Sequence, residues 1–242
     1  MDHLKNILYS LYLGSNISFV LKYISSLFKG KKIFKKNLEI KTLFENEIHI
    51  LKKKNILAGL NKQNIKNNIP FIYEILKNFD YIEKKIQILI IGCFEGHSTI
   101  FFLMHTKNSF FECVDNWNQE NLIRYSLSAE NFFDKNIKNY KHRVNKNKKN
   151  SDNFFEANKK NFDLIYIDGS HFHNDVERDC LNSFTKLSIN GLLIINSVFW
   201  RGKKWKLSHN NLSGILRFLK KTKNYKILLI TRNTLFIKKI NF

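Results

Sequence analysis

The chain has 242 residues and is 43% hydrophobic, enough for one α/β core with an appendage and short of two full domains. Its formal net charge of +21 would point to nucleic acid, an anionic membrane surface or an acidic substrate. The excess lies in lysines scattered along a chain that is also crowded with Asn, Ile and Phe and holds one proline, so compositional drift accounts for much of it.

Cys93, Cys113 and Cys180 are odd in number and widely separated, which excludes a disulfide framework and a CxxC zinc site and favours a reduced, cytoplasmic setting. Asn6 to Leu21 is uncharged and fairly apolar, but Ser10, Gly14, Ser15, Asn16 and Ser18 interrupt it and Lys22 ends it. It falls short of the roughly 20 apolar residues a spanning helix needs and lacks a small-residue cleavage site, so neither a membrane span nor a signal peptide is expected.

In chain order, residues 1–84 read as a helical extension. Leu4, Ile7, Leu8 and Leu11 share one face, as do Ile48 and Leu51 and, further on, Ile56, Leu57 and Leu60. This extension is a candidate surface for a homodimer. Within it, the basic run from Lys29 to Lys36 is either a solvated connector or a contact for anionic lipid. From Ile86 the pattern becomes short apolar runs separated by helical stretches, the alternation of βαβ units around a mostly parallel sheet, so residues 85–242 form a second region. The strands expected there are Gln87 to Ile91, Phe110 to Val114, Phe162 to Ile167 and Leu192 to Ile195, with helices over Ser98 to Thr106, Gln119 to Lys138, Asn174 to Lys186 and Leu212 to Lys221. Tyr225 to Ile230 and Thr234 to Lys239, joined at Arg232-Asn233, form an antiparallel hairpin. The Lys- and Asn-rich stretch from Asn145 to Asn150 reads as a surface loop.

Three stretches carry chemistry. In the first, a buried strand runs through Gly92, Cys93, Phe94, Glu95 and Gly96 into a helix that includes Ser98. Glycines there allow a sharp turn and close approach of a ligand, and the helix start attracts an anion; a purely structural turn is the alternative. The spacing does not match G-x-G-x-x-G, which weighs against a dinucleotide. The second is Asp115, at the end of the next strand, where a carboxylate accepts from ribose hydroxyls or else caps the following helix. The third is the strand ending in Asp168-Gly169-Ser170-His171, which delivers a carboxylate and an imidazole to the sheet edge where ligands bind in open α/β folds. His171 is placed there for proton transfer near neutral pH; His173 lies two residues on, in the helix.

The runs at 91–98, 114–117, 162–171 and 190–200 together resemble class I S-adenosylmethionine-dependent methyltransferases, above all small-molecule and sugar O-methyltransferases related to the catechol type. The resemblance covers about residues 85 to 240, and Tyr166-Ile167-Asp168-Gly169-Ser170-His171 is its most specific part. It implies a Rossmann-like fold, a mostly parallel twisted sheet with a C-terminal antiparallel hairpin, and S-adenosylmethionine as cofactor. By position it puts Gly92 to Gly96 under the methionine part, Ser98 at its carboxylate, Asp115 at the ribose, Ser151 or Asp152 near the adenine, and Asp168 beside the amino group and the acceptor. His171 stands where catechol-type relatives keep a catalytic lysine, and becomes the candidate base.

Two departures stand out. Ile90 replaces the acidic residue that relatives keep two places before the first motif glycine, and Asn196-Ser197 replaces the Asp-Asp or Asp-Asn pair that helps hold a divalent ion in metal-dependent relatives. Hard cations favour carboxylate oxygens, so no metal is expected to be required. The acceptor implied is a saccharide or other small hydroxylated metabolite, with Trp200, Arg201 and Trp205 available to stack on or clamp a ring, or simply to pack. Nucleic acid is not the expected substrate, because no Asn/Asp-Pro-Pro-Tyr/Phe motif follows the strand ending at Asp168. A catalytically degenerate binding module is the remaining alternative.

Overall fold

A computed structural model describes residues 2–60, 65, 67–118, 123–201 and 210–241. In chain order the helices α1 (Asp2–Tyr12), α2 (Ile17–Lys36), α3 (Leu38–Lys53) and α4 (Ile69–Asn78) precede β1 (Gln87–Ile91), α5 (His97–His105), β2 (Phe110–Asp115), α6 (Ile123–Asn136) and β3 (Val144–Lys148). Then follow α7 (Ser151–Ala157), β4 (Phe162–Ile167), α8 (His173–Lys186), β5 (Leu187–Asn196), α9 (Asn211–Lys221), β6 (Tyr225–Ile230) and β7 (Thr234–Lys239). The strands form a seven-stranded sheet in the order β3-β2-β1-β4-β5-β7-β6.

The contacts cluster into two units, one of Ile33–Phe154 and one of Met1–Lys32 with Phe155–Phe242. In the first, β1 pairs parallel with β2, and β2 with β3. Ile88, Leu89, Ile90 and Ile91 are all buried, as a parallel strand covered on both faces requires. Packed in the same unit, α4 begins with Pro70 in its first turn, where the missing N–H costs nothing, and buries Ile72, Ile75 and Leu76.

In the second unit, β4 pairs parallel with β5, which pairs antiparallel with β7, and β7 with β6. The expected C-terminal hairpin is therefore present. Leu192, Leu193, Ile194 and Ile195 fill its core with Leu235, Phe236 and Ile237. The fifth strand starts at Leu187, earlier than expected, because Leu187 already pairs with Phe162 and the extra residues between it and Leu192, the partner of Leu164, bulge out of β5.

The expected loop from Asn145 to Asn150 is a correction: Val144–Lys148 is the edge strand β3. Its backbone bonds to β2, while Asn145 and Asn147 donate to Glu112 at 2.7 and 2.8 Å and Lys146 and Lys148 pair with Glu130 at 2.8 and 2.7 Å. Lys and Asn are poor strand formers in general but suit an edge, where charge discourages pairing with another chain. The start of the helix expected from Gln119 lies outside the described residues.

Candidate functional site

The glycine turn after β1 needs left-handed backbone at Gly92 (φ 82°), Phe94 (φ 47°) and Gly96 (φ 90°). Glycine takes this conformation freely; Phe94 does not, so something must hold it. That something is Asp115. Its Oδ2 accepts from the amides of both Cys93 and Phe94 at 2.8 Å, and its Oδ1 accepts from the Trp117 amide, also at 2.8 Å. The Trp117 indole N–H donates in turn to the Phe94 carbonyl at 2.9 Å. A carboxylate offers about four acceptor positions, so this latch leaves room for one more donor.

The other predicted residues of the turn divide by what they present. Cys93 is buried, with Sγ 3.6 Å from the Ile90 carbonyl and 3.7 Å from that of Val114, and burial holds its thiol well above the usual range. Only its backbone serves the turn. The Glu95 carboxylate lies against Gly59, and its carbonyl accepts from Asn136 at 2.7 Å. Gly96 is the N-cap of α5, and no side chain caps that helix start, so the first-turn amides beside Ser98 keep the positive end of the helix open to an anionic group. Ser151 and Asp152 open α7, and the Lys149 amide donates to the Asp115 carbonyl at 3.1 Å, which ties the approach to α7 to the end of β2. Ile90 is wholly buried in the sheet.

In the other unit, β4 ends at Ile167 and Asp168 follows it directly. Burial raises its carboxyl to about 6, against weaker hydrogen bonds from Asn196 and Ser197 that favour the ionised form. The Ser197 hydroxyl donates to Asp168 Oδ1 at 3.4 Å, and Asn196, buried, accepts from Thr234 at 3.2 Å. Ser197 itself sits at φ 57°, a strained setting for a side-chain-bearing residue at the end of β5.

His171 stacks on Trp200, ring centroids 4.3 Å apart and 21° between planes, and its Nδ1 lies 3.2 Å from Asn211 Nδ2. Burial lowers its pKa, and the contact with Asn211 partly offsets that. The imidazole is thus neutral at neutral pH, the form a base needs. Arg201 lies over the Tyr9 ring at 5.0 Å and pairs with Asn210 in an isolated antiparallel bridge. Trp205 lies outside the described residues. His173 is the first residue of α8. Among the described residues no group of three or more His, Cys, Asp or Glu side chains is placed to hold a metal ion.

Sequence reasoning missed Asn211 and Trp117. Asn211 is 40 residues from His171 and reaches it only because α9 starts there, with Asn210 as an N-cap that accepts from the Ser213 amide at 2.7 Å. Trp117 reads as an ordinary aromatic until its indole closes on Phe94.

Residues 89–198 match the family model described as a methyltransferase domain. None of the curated proteins compared with the chain matches it in sequence. Among solved structures, the chain is similar to an O-methyltransferase from Bacillus cereus in complex with SAH (14% identity, 83% of this chain and 91% of that one, TM-score 0.57). It is similar to an SAH-bound methyltransferase from Podospora anserina (16% identity, 82% and 86%, TM-score 0.52) and to an rRNA methylase from Streptococcus thermophilus (10% identity, 76% and 100%, TM-score 0.52). At such identities the likeness carries the fold. Residues 89–198 match a methyltransferase-domain model in sequence, and the likeness to these structures shows that the chain has the fold they share.

Proposed function

We propose that this protein methylates a hydroxyl oxygen of a saccharide or other small hydroxylated metabolite, with His171 as general base. The observation that carries this reading is the placement of His171, stacked on Trp200 and 3.2 Å from Asn211, between β4 and α8 in the stretch that matches the methyltransferase-domain model. The left-handed turn from Gly92 to Gly96 and the uncapped start of α5 fit an amino-acid carboxylate, with Ser98 beside it. The open acceptor position on Asp115 fits a ribose hydroxyl, and the resemblance assigns the adenine end to Ser151 or Asp152 and the amino group and acceptor to Asp168.

When bound, S-adenosylmethionine supplies a methyl group made electrophilic by its positively charged sulfur. His171 Nε2 would take the proton of the acceptor hydroxyl as the oxygen receives the methyl group. For Nε2 to accept, the ring proton must sit on Nδ1, where the Asn211 side-chain oxygen accepts it once the amide is turned to face the ring with Oδ1. The Asn196-Ser197 pair leaves Asp168 as one carboxylate with an amide and a hydroxyl, a poor set for a hard cation, so the reaction proceeds without a divalent metal.

One observation favours a second reading, a binding module without activity: three backbone amides already occupy the Asp115 carboxylate. Calorimetric titration of S-adenosylmethionine into the wild type and Asp115→Ala, each with and without Mg²⁺, separates the two. Micromolar binding that needs Asp115 and ignores Mg²⁺, followed by methyl transfer to a hydroxylated acceptor in a substrate screen, is the expected result. Absence of binding overturns the enzyme reading, and transfer to RNA in place of small acceptors overturns the assigned acceptor class.

A further inference from the structure

The N-terminal helices bury Tyr9, Phe19, Val20 and Tyr23 yet also turn a second set of apolar side chains outward. On α1, Asn6 and Ser10 are buried while Leu4, Leu8 and Leu11 face outward, Leu4 63% and Leu8 58% exposed. Polar contacts help hold the buried side: Tyr23 from α2 meets His3 Nδ1 at 2.9 Å and the Asn6 amide at 3.3 Å through its hydroxyl, and its ring lies tilted with its centroid 5.0 Å from that of Phe199. On α2, Ile17, Leu21 and Phe28 lie within about 40° of each other at 100° per residue, and all are exposed, Ile17 at 72% and Phe28 at 74%. A helix whose outer face met only water would carry polar residues there.

Beyond Asp2 at the start of α1, the charge along these helices has one sign. From His3 to Leu38 the sequence holds Lys5, Lys22, Lys29, Lys31, Lys32, Lys35 and Lys36 and no acidic residue. Lys29, Lys31 and Lys32 are exposed just beyond Phe28. Lys22 is affected by its neighbours: burial first, then repulsion from Lys29 and from Lys226 on β6, lowers its pKa. The helices offer apolar side chains at a depth set by the helix and cations at its margin, the complement of acyl chains under anionic headgroups. Among the described residues no helix is long and apolar enough to cross a membrane, so such a face lies on a bilayer and does not span it.

We propose that α1 and the first turns of α2 dock this protein on an anionic lipid surface, with Leu4, Leu8, Ile17, Leu21 and Phe28 entering the interface and Lys29, Lys31 and Lys32 meeting the headgroups. This docking stands independently of the methyl-transfer reading.

The test is co-sedimentation of the full chain with vesicles of phosphatidylcholine alone and of phosphatidylcholine with 30% phosphatidylglycerol. Binding is expected on the anionic vesicles only. Because the whole chain is strongly cationic, charge alone must be separated from insertion. The double variant Leu21→Asp/Phe28→Asp and the triple variant Lys29→Glu/Lys31→Glu/Lys32→Glu should each lower the partition coefficient at least about tenfold. Lys53→Glu/Lys54→Glu/Lys107→Glu, which changes net charge equally at exposed positions elsewhere, should lower it less than about threefold. Circular dichroism reports whether each variant stays folded; as the substituted side chains are exposed, it should. Equal losses in both lysine variants, or unchanged binding in the double aspartate variant, overturn the proposal. So does light scattering that shows a dimer which Leu21→Asp/Phe28→Asp turns into monomers while the wild type ignores vesicles, since the face then belongs to a second copy.

Discussion

His171 shows how little of a side chain's behaviour lies in its identity. The ring is lowered in pKa by burial, supported by Asn211 and stacked on Trp200. If it is the base, kcat/KM rises with pH along a limb below the ordinary histidine range. A carboxylate in place of the amide favours the imidazolium, so Asn211→Asp should move that limb to higher pH, whereas Asn211→Leu should lower kcat with little change in KM. His171→Gln should reduce kcat about 10²- to 10⁴-fold and erase the limb. Steady-state profiles of the three variants decide the matter; a limb unmoved in Asn211→Asp would assign Asn211 a packing role only. The sequence made His171 visible because it follows a carboxylate at a strand end, but its partner Asn211 was invisible, since nothing in a 40-residue separation announces contact.

At the scale of elements, the placement of Asn211 depends on how closely α9 lies against α8. Gly214 makes that approach possible: a Cβ there would run into the His173 carbonyl oxygen and come within 3.0 Å of Val176. The pair is further tied by Glu177, which takes Arg217 at 2.8 Å and Lys221 at 2.7 Å, and by Arg217 donating to Asn174 at 2.9 Å. Backbone cannot yield as a flexible side chain does, so Gly214→Ala should cost about 1–3 kcal/mol in urea unfolding and slow turnover by displacing Asn211. Unchanged stability would mean that α9 shifts without penalty. The elements were largely legible in the sequence: β1, β4, β6 and β7 have the expected bounds, because their apolar runs are short and sharply ended. The edge strand β3 was not, since its stability comes from β2 backbone and from Glu112 and Glu130 and not from its own side chains.

For the molecule as a whole, Asp168 sets function against stability. Its carboxyl is raised to about 6 from an ordinary value near 3.8, chiefly by burial. Below the lower value both folded and unfolded chains hold the proton; between the two only the folded chain does, so stability falls as pH rises across that window and stays reduced above it. The ionised group costs up to about 3 kcal/mol at pH 7. Asp168→Asn should therefore raise the urea midpoint at pH 7, lose that advantage below pH 4, and abolish methyl transfer. An unchanged midpoint at pH 7 would show that the carboxylate is better solvated than its surroundings indicate.

Periodicity and turn residues determined from sequence alone that this is an α/β chain with a helical N-terminal region and a C-terminal hairpin, and strand-end chemistry singled out Gly92 to Gly96, Asp115 and Asp168 to His171 as candidates for ligand contact. Those signals are local, set by which side chains alternate and where the backbone must turn. Tertiary structure alone decided the rest. It used Asp115 as the latch of the glycine turn, brought Asn211 to His171, made a strand of Val144–Lys148 and turned the leucines of α1 outward. Each depends on a partner distant in sequence, and an amphipathic pattern fixes which residues share a face without saying whether that face meets the core or the surroundings.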